Sequence, residues 1–274
     1  MTYVAVVTGA SSGIGEQTAR RLALDPHTHV VAVARRADRL PVDPSVTPIA
    51  ADLTDPETPA RIAAQLEADH GGRLNLLVNN AGARWASDFE AGGWANVERH
   101  MAINFDAQLR LTEALLPLLQ RTAAGAGFGH GADVVAGQQV RAPVAIVNVS
   151  STAGRVARRG TGAYSASKFA LVGWSDSLYL EQRPRGVHVG LVLPGFVATE
   201  GFPQAELVAG RCSRLLVSDT EVVVKAILEA GPGGRAERYA PGYYRLFAAL
   251  RIVAPGLVRR VLARGALATD TYSN

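Results

Sequence analysis

Residues 3–15 read Tyr-Val-Ala-Val-Val-Thr-Gly-Ala-Ser-Ser-Gly-Ile-Gly and run directly into a helical pattern, Glu16-Gln17-Thr18-Ala19-Arg20-Arg21-Leu22-Ala23-Leu24. The opening apolar, β-branched run has strand length, and its lack of polar alternation marks a strand buried on both faces. Glycines 9, 13 and 15 then allow a tight turn and the close approach of backbone to a pyrophosphate. The helix amino end beyond them offers unpaired N–H groups and a positive dipole. With 28 glycines in the chain, the triplet alone carries little weight. Its position between a strand and a helix is what makes it specific.

Further runs of the same kind follow: VVAVA at 30–34, VTPIAAD at 46–52, LNLLVNNA at 74–81, VAIVNVSS at 144–151 and VHVGLVLPG at 187–195, separated by segments of helical length. Strands of this type alternating with helices predict an α/β fold, a doubly wound parallel sheet of Rossmann type with helices on both faces. No linker or composition shift divides it, so a single domain is expected over 1–274. The Gly/Ala-rich stretch at about 122–143 is longer than an ordinary helix-to-strand connection. It leads into the start of a strand, which places it opposite the crevice that forms outside the strands' carboxyl ends. A mobile surface insertion is therefore expected there, rather than an active-site lid.

The composition excludes several classes. The chain has 28 Lys+Arg against 24 Asp+Glu, 48% hydrophobic residues and a single cysteine, Cys212, so neither a disordered chain nor a disulfide scaffold fits. No Cys/His cluster has metal-ligand spacing, and no metal is expected. The opening apolar run is too short for a signal peptide and no uncharged stretch reaches about 20 residues. A cytoplasmic, reducing location is the expectation. Residues 1–140 carry 11 basic and 15 acidic residues, whereas 141–274 carry 17 and 9, but the basic half lacks a basic run interleaved with aromatics. Nucleic acid is not an expected partner.

Only Lys168 and Lys225 are lysines, every other basic residue being arginine. Lys168 stands four residues after Tyr164 in YSASKFALVGWSDSLYL, which reads as a helix, so both side chains share one face. A phenol with a pKa of about 10 exchanges protons poorly near neutrality unless a cation stabilises the phenolate, and an ammonium one turn away supplies one. Ser151 lies thirteen residues before the tyrosine, at the end of a predicted strand. Its neighbour Ser150 points to the opposite face by strand alternation.

The loop TGASSGIG, followed in order by Asp52-Leu53, Asn79-Asn80-Ala81-Gly82, Asn104, Ser151, Tyr164-x-x-x-Lys168 and Pro194-Gly195, resembles the short-chain dehydrogenase/reductase family from residue 2 to about 200. The resemblance implies a nicotinamide dinucleotide held by Gly9, Ser11, Ser12, Gly13, Ile14 and Gly15. Asp52 and Leu53 would flank the adenine, and Asn80, Ala81 and Gly82 would pass beneath the ribose and nicotinamide. Pro194, Gly195, Val197 and Thr199 would hold the carboxamide end. Tyr164 would protonate a carbonyl oxygen in the reductive direction, with Ser151 hydrogen-bonded to the same oxygen. Lys168 would bind the ribose hydroxyls and lower the tyrosine pKa, and Asn104 would hold a water linking Lys168 to solvent. A homodimer or homotetramer is also implied. Epimerases and dehydratases of the extended branch use Tyr and Lys too, but their glycine spacing and length differ. A non-catalytic NADP-binding regulator is the alternative from another class, one that usually lacks the Tyr, Lys or Ser.

At the end of the second strand, where NAD enzymes place a carboxylate for the ribose 2′-OH, this chain has Ala34-Arg35-Arg36. Two guanidiniums suit a 2′-phosphate, so NADP(H) is expected over NAD(H). Phe196, Phe202 and Leu207, with Trp85, Phe89 and Trp94, suggest an apolar site for a small carbonyl or alcohol, and no charged residue is recognisably placed to bind an anionic substrate. The end of the chain, about 242–266, reads as a basic helical extension divided by Pro255. Leu246, Phe247, Leu250 and Val253 form one apolar stripe and Leu257, Val258, Val261 and Leu262 another. A docked cover or subunit contact is expected there ahead of peripheral membrane contact.

Overall fold

The computed structural model describes residues 2–125, 134–197 and 217–264. Seven strands form one parallel sheet: β1 (Tyr3–Thr8), β2 (Thr28–Ala34), β3 (Val46–Ala50), β4 (Leu76–Asn79), β7 (Ala145–Val149), β8 (His188–Pro194) and β11 (Glu237–Ala240). Their order across the sheet is β11-β8-β7-β4-β1-β2-β3, so the chain winds outward from β1 to β3 and then returns to the other side of β1 at β4. The expected doubly wound sheet is therefore present, and its switch point lies between β1 and β4, where a crevice must open. Short pairs complete the strands: β5 (Val134–Val135) with β6 (Gln138–Gln139), and β9 (Phe196–Val197) with β10 (Val217–Ser218).

Alternation along the strands feeds two cores. On β1, Ala5 and Val7 face a layer built with Ala19 and Leu22 of α1 (Gly13–Ala23) and Val223 and Ile227 of α6 (Thr220–Ala230). Val4 and Val6 face the other layer. That layer takes Ile62 and Leu66 of α2 (Thr58–His70), Leu111 and Leu115 of α4 (Ala107–Gly125), and Leu178 of α5 (Gly162–Gln182). Helix α3 (Phe89–Met101), broken at Gly93 by a φ of 52°, leans on α5 and joins α4 through a π-type turn over Ala102–Asp106.

Strand β11 has no apolar run, which is why the sequence pattern does not announce it. It is an edge strand carrying Glu237, paired with Arg155, and Arg238, paired with Glu229. Charged edges of this kind discourage further strand pairing.

The insertion differs from its expected form in the part described. Residues 134–139 form an antiparallel hairpin, and Val135 is buried in the same core as Leu22 and Val30. The Ala136 N–H donates to Asp25 Oδ2 at 3.0 Å, while the Arg141 and Ala142 N–H groups both donate to the Pro232 carbonyl, at 2.7 and 3.0 Å. Asp25 and Pro232 precede β2 and β11, so this segment is pinned at the strands' amino ends, away from the crevice.

The basic extension is helical on both sides of Pro255, as α7 (Tyr244–Val253) and α8 (Pro255–Ala263). It is docked at its start only: α7 buries Tyr244 and Ala248, whereas α8 buries no residue. No described helix is long and apolar enough to cross a membrane.

Gly190 of β8 marks a close approach, since a Cβ there would lie 2.2 Å from the Ala230 carbonyl oxygen at the end of α6. Backbone cannot yield as a side chain does. Gly190→Ala should therefore lower stability by about 1–3 kcal/mol, the range for overpacked cores. Urea unfolding followed by circular dichroism measures this, and an unchanged midpoint would contradict the packing.

Candidate active site

Every loop that leaves a carboxyl strand end near the switch point enters one cavity of about 610 Å³. At its foot, Thr8 ties β1 to the turn after β4. The Thr8 hydroxyl donates to the Val78 carbonyl at 3.1 Å and accepts from the Asn80 and Ala81 N–H groups at 2.9 and 3.0 Å. Asn80 returns the bond, its Nδ2 donating to the Thr8 carbonyl at 2.9 Å.

The glycine loop lies on this knot. Gly9 has φ +68°, a left-handed conformation, and a Cβ there would meet Asn80 Nδ2 at 2.9 Å and Ala81 Cα at 3.0 Å. Gly9, Ser11, Ser12, Gly13 and Ile14 line the cavity. Gly15 does not. A Cβ at that position would lie 2.3 Å from the Gly9 carbonyl oxygen, so Gly15 lets α1 start directly beneath the loop rather than forming cavity wall, a correction to its expected place. No side chain caps α1. Its first N–H groups therefore retain their capacity for an external acceptor.

At one end of the cavity Arg36 donates to Ser12 Oγ at 3.1 Å and Ser11 Oγ at 3.4 Å, with Arg35 and Asp52 beside it. Hydrogen bonds from the Thr54 N–H and hydroxyl hold the Asp52 carboxyl below its ordinary range, with Arg35 adding to the effect. Leu53, Asn80, Ala81, Gly82, Pro194, Gly195 and Val197 all line the cavity, as the sequence predicts. Thr199, Phe202 and Leu207 lie outside the described residues.

The opposite end gathers the titratable groups. Tyr164 and Lys168 lie one turn apart in α5, and Ser151, just past β7, lines the same cavity. The Ser150 hydroxyl instead donates to the Lys168 carbonyl at 3.0 Å, so the adjacent serines diverge as strand alternation requires. Burial raises the Tyr164 pKa, while the nearby Ser151 hydroxyl and then Arg84 and Arg158 oppose it. Lys168 Nζ donates to the Val149 carbonyl at 2.9 Å and lies 6.0 Å from the phenol ring centre. Burial pulls its pKa down to about 7. Lys168 is thus a buried amine with a depressed pKa, and the cations that favour the phenolate are two arginines the sequence reading missed.

Those arginines overturn the expectation of an uncharged substrate end. Arg84, Arg99 and Arg158 line the cavity on the Tyr164 side. Arg99 lies over the Trp85 ring at 4.6 Å and Arg158 over the Phe196 ring at 4.4 Å, a cation–π arrangement in both cases. Burial, with Arg84 second, lowers the Arg158 pKa to about 10. Of the aromatics expected here, Trp85 and Phe196 reach the cavity, whereas Phe89 and Trp94 are exposed outside it.

His100 was also missed. It is fully buried, its Nε2 accepting from the Trp85 N–H at 3.0 Å and its Nδ1 2.6 Å from the Asn96 carbonyl. That pair of partners calls for the neutral, Nδ1-protonated ring. Burial lowers its pKa accordingly, with Arg99 and Arg84 adding to the effect against the Asn96 bond. His100, whose ring centre lies 6.1 Å from that of Tyr164, thereby fixes Trp85 in the wall.

Asn104 sits in the π-type turn, fully buried. Its Oδ1 accepts from the Ala83 N–H at 2.9 Å, and its Nδ2 donates to the Ala83 carbonyl at 2.9 Å and to Ser167 Oγ at 3.1 Å. The amide thus clamps the turn after β4 to α5. No group of metal-ligating side chains occurs among the described residues.

Comparison with known proteins agrees with this geometry. A family model described as short chain dehydrogenase matches residues 3–127 and 134–206. An uncharacterised oxidoreductase, YbbO of Escherichia coli K12, is 33% identical over 196 residues, 71% of this chain but only 65% of that protein. A rhamnolipids biosynthesis 3-oxoacyl-[acyl-carrier-protein] reductase of Pseudomonas aeruginosa is 30% identical over 248 residues, 86% of each chain. A crystal structure of a short chain dehydrogenase from Burkholderia cenocepacia J2315 in complex with NADP superposes with a TM-score of 0.77 at 26% identity, covering 95% of this chain and 97% of that one. With its parallel sheet, glycine loop and Ser-Tyr-Lys cluster in one cavity, the chain belongs to the short-chain dehydrogenase family of oxidoreductases.

Proposed function

We propose that the protein interconverts a carbonyl and an alcohol with NADP(H), on a small or lipid-like molecule whose body is apolar. The observation that carries this reading is the convergence of Ser151, Tyr164 and Lys168 on the cavity that the glycine loop, Arg35 and Arg36 also line. A non-catalytic regulator has no use for that convergence. The bound dinucleotide would supply the hydride donor or acceptor. Its phosphates suit the uncapped start of α1 and the Ser11 and Ser12 hydroxyls, and a 2′-phosphate suits Arg35 and Arg36.

The chain's own residues then have distinct tasks. In the reductive direction Tyr164 Oη gives its proton to the carbonyl oxygen, and Ser151 Oγ hydrogen-bonds the same oxygen. The Tyr164 phenolate left behind is stabilised by Ser151, Arg84 and Arg158 until it is reprotonated. Lys168 serves the ribose hydroxyls and, its pKa lowered by burial, passes a proton toward the tyrosine. Asn104 holds the turn that faces both and is assigned to the water relay linking Lys168 to solvent. Trp85 and Phe196 receive the apolar body of the substrate, and the guanidiniums beside them favour a substrate whose carbonyl end carries additional acceptor oxygens. Phe169 and Leu180, exposed on α5, offer an apolar contact for assembly into a homodimer or homotetramer.

Three outcomes test this. Fluorescence titration of the apo protein should show NADPH binding at least tenfold more tightly than NADH. Two charge-assisted contacts of roughly 1.5–3 kcal/mol each allow that much, and the preference should vanish in Arg35→Ala/Arg36→Ala; equal affinities in the parent protein would refute the cofactor assignment. Tyr164→Phe should abolish carbonyl reduction while leaving NADPH affinity within a few-fold of the parent. If the variant retained substantial turnover, the proton would have to come from another group.

The third concerns pH. Arg84 lowers the Tyr164 pKa, so Arg84→Met must raise it. Reduction needs the protonated phenol and falls as pH rises through that pKa, so its descending limb should move to higher pH. Alcohol oxidation needs the phenolate, so its ascending limb should move the same way and the reaction should slow near neutrality. Profiles of kcat/KM in both directions decide this, and a shift toward lower pH would contradict the assignment.

A further inference from the structure

Helices α7 and α8 present an apolar surface that nothing described covers. In α7 the buried residues Tyr244 and Ala248 lie on one face, and the opposite face is Leu246, Leu250 and Val253, where a helix docked on a protein body normally turns polar residues outward. With Ile252, Leu257 and Val261, these side chains are 40–78% exposed. In α8, Leu257, Val258, Val261 and Leu262 share one side of the helix and Arg259, Arg260 and Arg264 the other. Residues 241–264 contain five arginines and no acid.

We propose that α7 and α8 seat the protein on an anionic lipid surface, the apolar side entering the headgroup boundary and the arginines meeting lipid phosphates. Charge selects this occupant over a second copy of the chain. A two-fold contact through the apolar stripe would leave the flanking arginines along its rim with no carboxylate of the same segment to meet them, since residues 241–264 carry five arginines and no acid. An anionic bilayer supplies the missing negative charge along with an apolar interior.

The position of the patch gives the docking a use. Tyr244, at the start of α7, hydrogen-bonds the Phe196 backbone and packs on that ring and on Gly195, where a Cβ would lie 2.1 Å from Tyr244 Cε2. Phe196 lines the catalytic cavity, so the start of the seated helices packs against the cavity wall. A lipid-like substrate could then pass between membrane and cavity, a consequence that rests on the reading of the site as a carbonyl–alcohol oxidoreductase. The docking itself does not rest on it.

Sedimentation of the full chain with phosphatidylcholine vesicles, with and without phosphatidylglycerol, tests the proposal without any turnover. The expected result is binding that requires phosphatidylglycerol and fades at high salt. Arg259→Gln/Arg260→Gln should weaken it roughly twenty-fivefold, about fivefold per arginine. Leu257→Ser/Val261→Ser should weaken it as well, and since these side chains are exposed, thermal unfolding should match the parent for both variants. No sedimentation with phosphatidylglycerol vesicles overturns the proposal, as does binding indifferent to lipid charge. It is equally overturned if light scattering shows a parent oligomer that Leu257→Ser/Val261→Ser dissociates, which would assign the face to a second copy. Loss of carbonyl reduction with vesicle binding intact would count against the proposed function alone.

Discussion

The crevice exists because the chain reverses its direction across the sheet between β1 and β4, and Thr8 keeps that reversal from opening into a disordered gap. One hydroxyl there makes one donated and two accepted bonds within 3.1 Å, and the Asn80 amide answers from the other side. A buried polar group with every bond satisfied fixes geometry more tightly than apolar contact does. The glycine loop, the turn carrying Asn80 to Gly82 and the start of α1 all take their positions from it. Gly9 and Gly15 complete the constraint, since side chains at either place would push the loop off Asn80.

From that fixed floor the chemistry follows as a competition between burial and charge. Burial alone would make Tyr164 a weaker acid and Lys168 a weaker base. Ser151 and two guanidiniums restrain the first shift, while nothing comparable restrains the second, and Lys168 comes to rest near neutrality. The amine therefore works less as a fixed counter-charge than as a group able to gain or lose a proton at little energetic expense. A neutral His100 suits the same surroundings, because another full positive charge beside Arg84, Arg99 and Arg158 would add repulsion without adding a contact.

How much of this was legible in the sequence depends on where each residue's neighbours come from. Five of the seven sheet strands are buried on both faces and leave continuous apolar runs; β3, the other edge, is half exposed yet still apolar enough to read, whereas β11, carrying Glu237 and Arg238, leaves no run. Residues that act within one loop or one helix face, such as Gly9 and Gly13 or Tyr164 and Lys168, carry their spacing with them. Arg84, His100 and Arg158 belong to three separate segments after β4, within α3 and after β7. Only the packing of α3 against α5 brings them to one phenol, and no local pattern records that. The amphipathic stripes of the tail were likewise readable, but whether protein covers them depends on what lies beside them in space. The hairpin at 134–139 shows the same limit, since a Gly/Ala-rich composition does not reveal the Asp25 carboxylate and Pro232 carbonyl that pin it.

The π-type turn at Ala102–Asp106 gives the site a mechanical property. An α-helix advances about 100° per residue and a π turn accommodates one residue more, so the helices on either side are out of phase by roughly that angle. Phase is what lets a nearly continuous rod aim His100 at Trp85 in the cavity wall and, about three turns later, Leu111 into the core beneath the sheet. Asn104 sits at the slip itself, with its amide bonded to Ala83 and Ser167 on both sides. The same slip makes the turn intolerant of losing a residue: regularising it would rotate everything upstream away from Tyr164 as a single body.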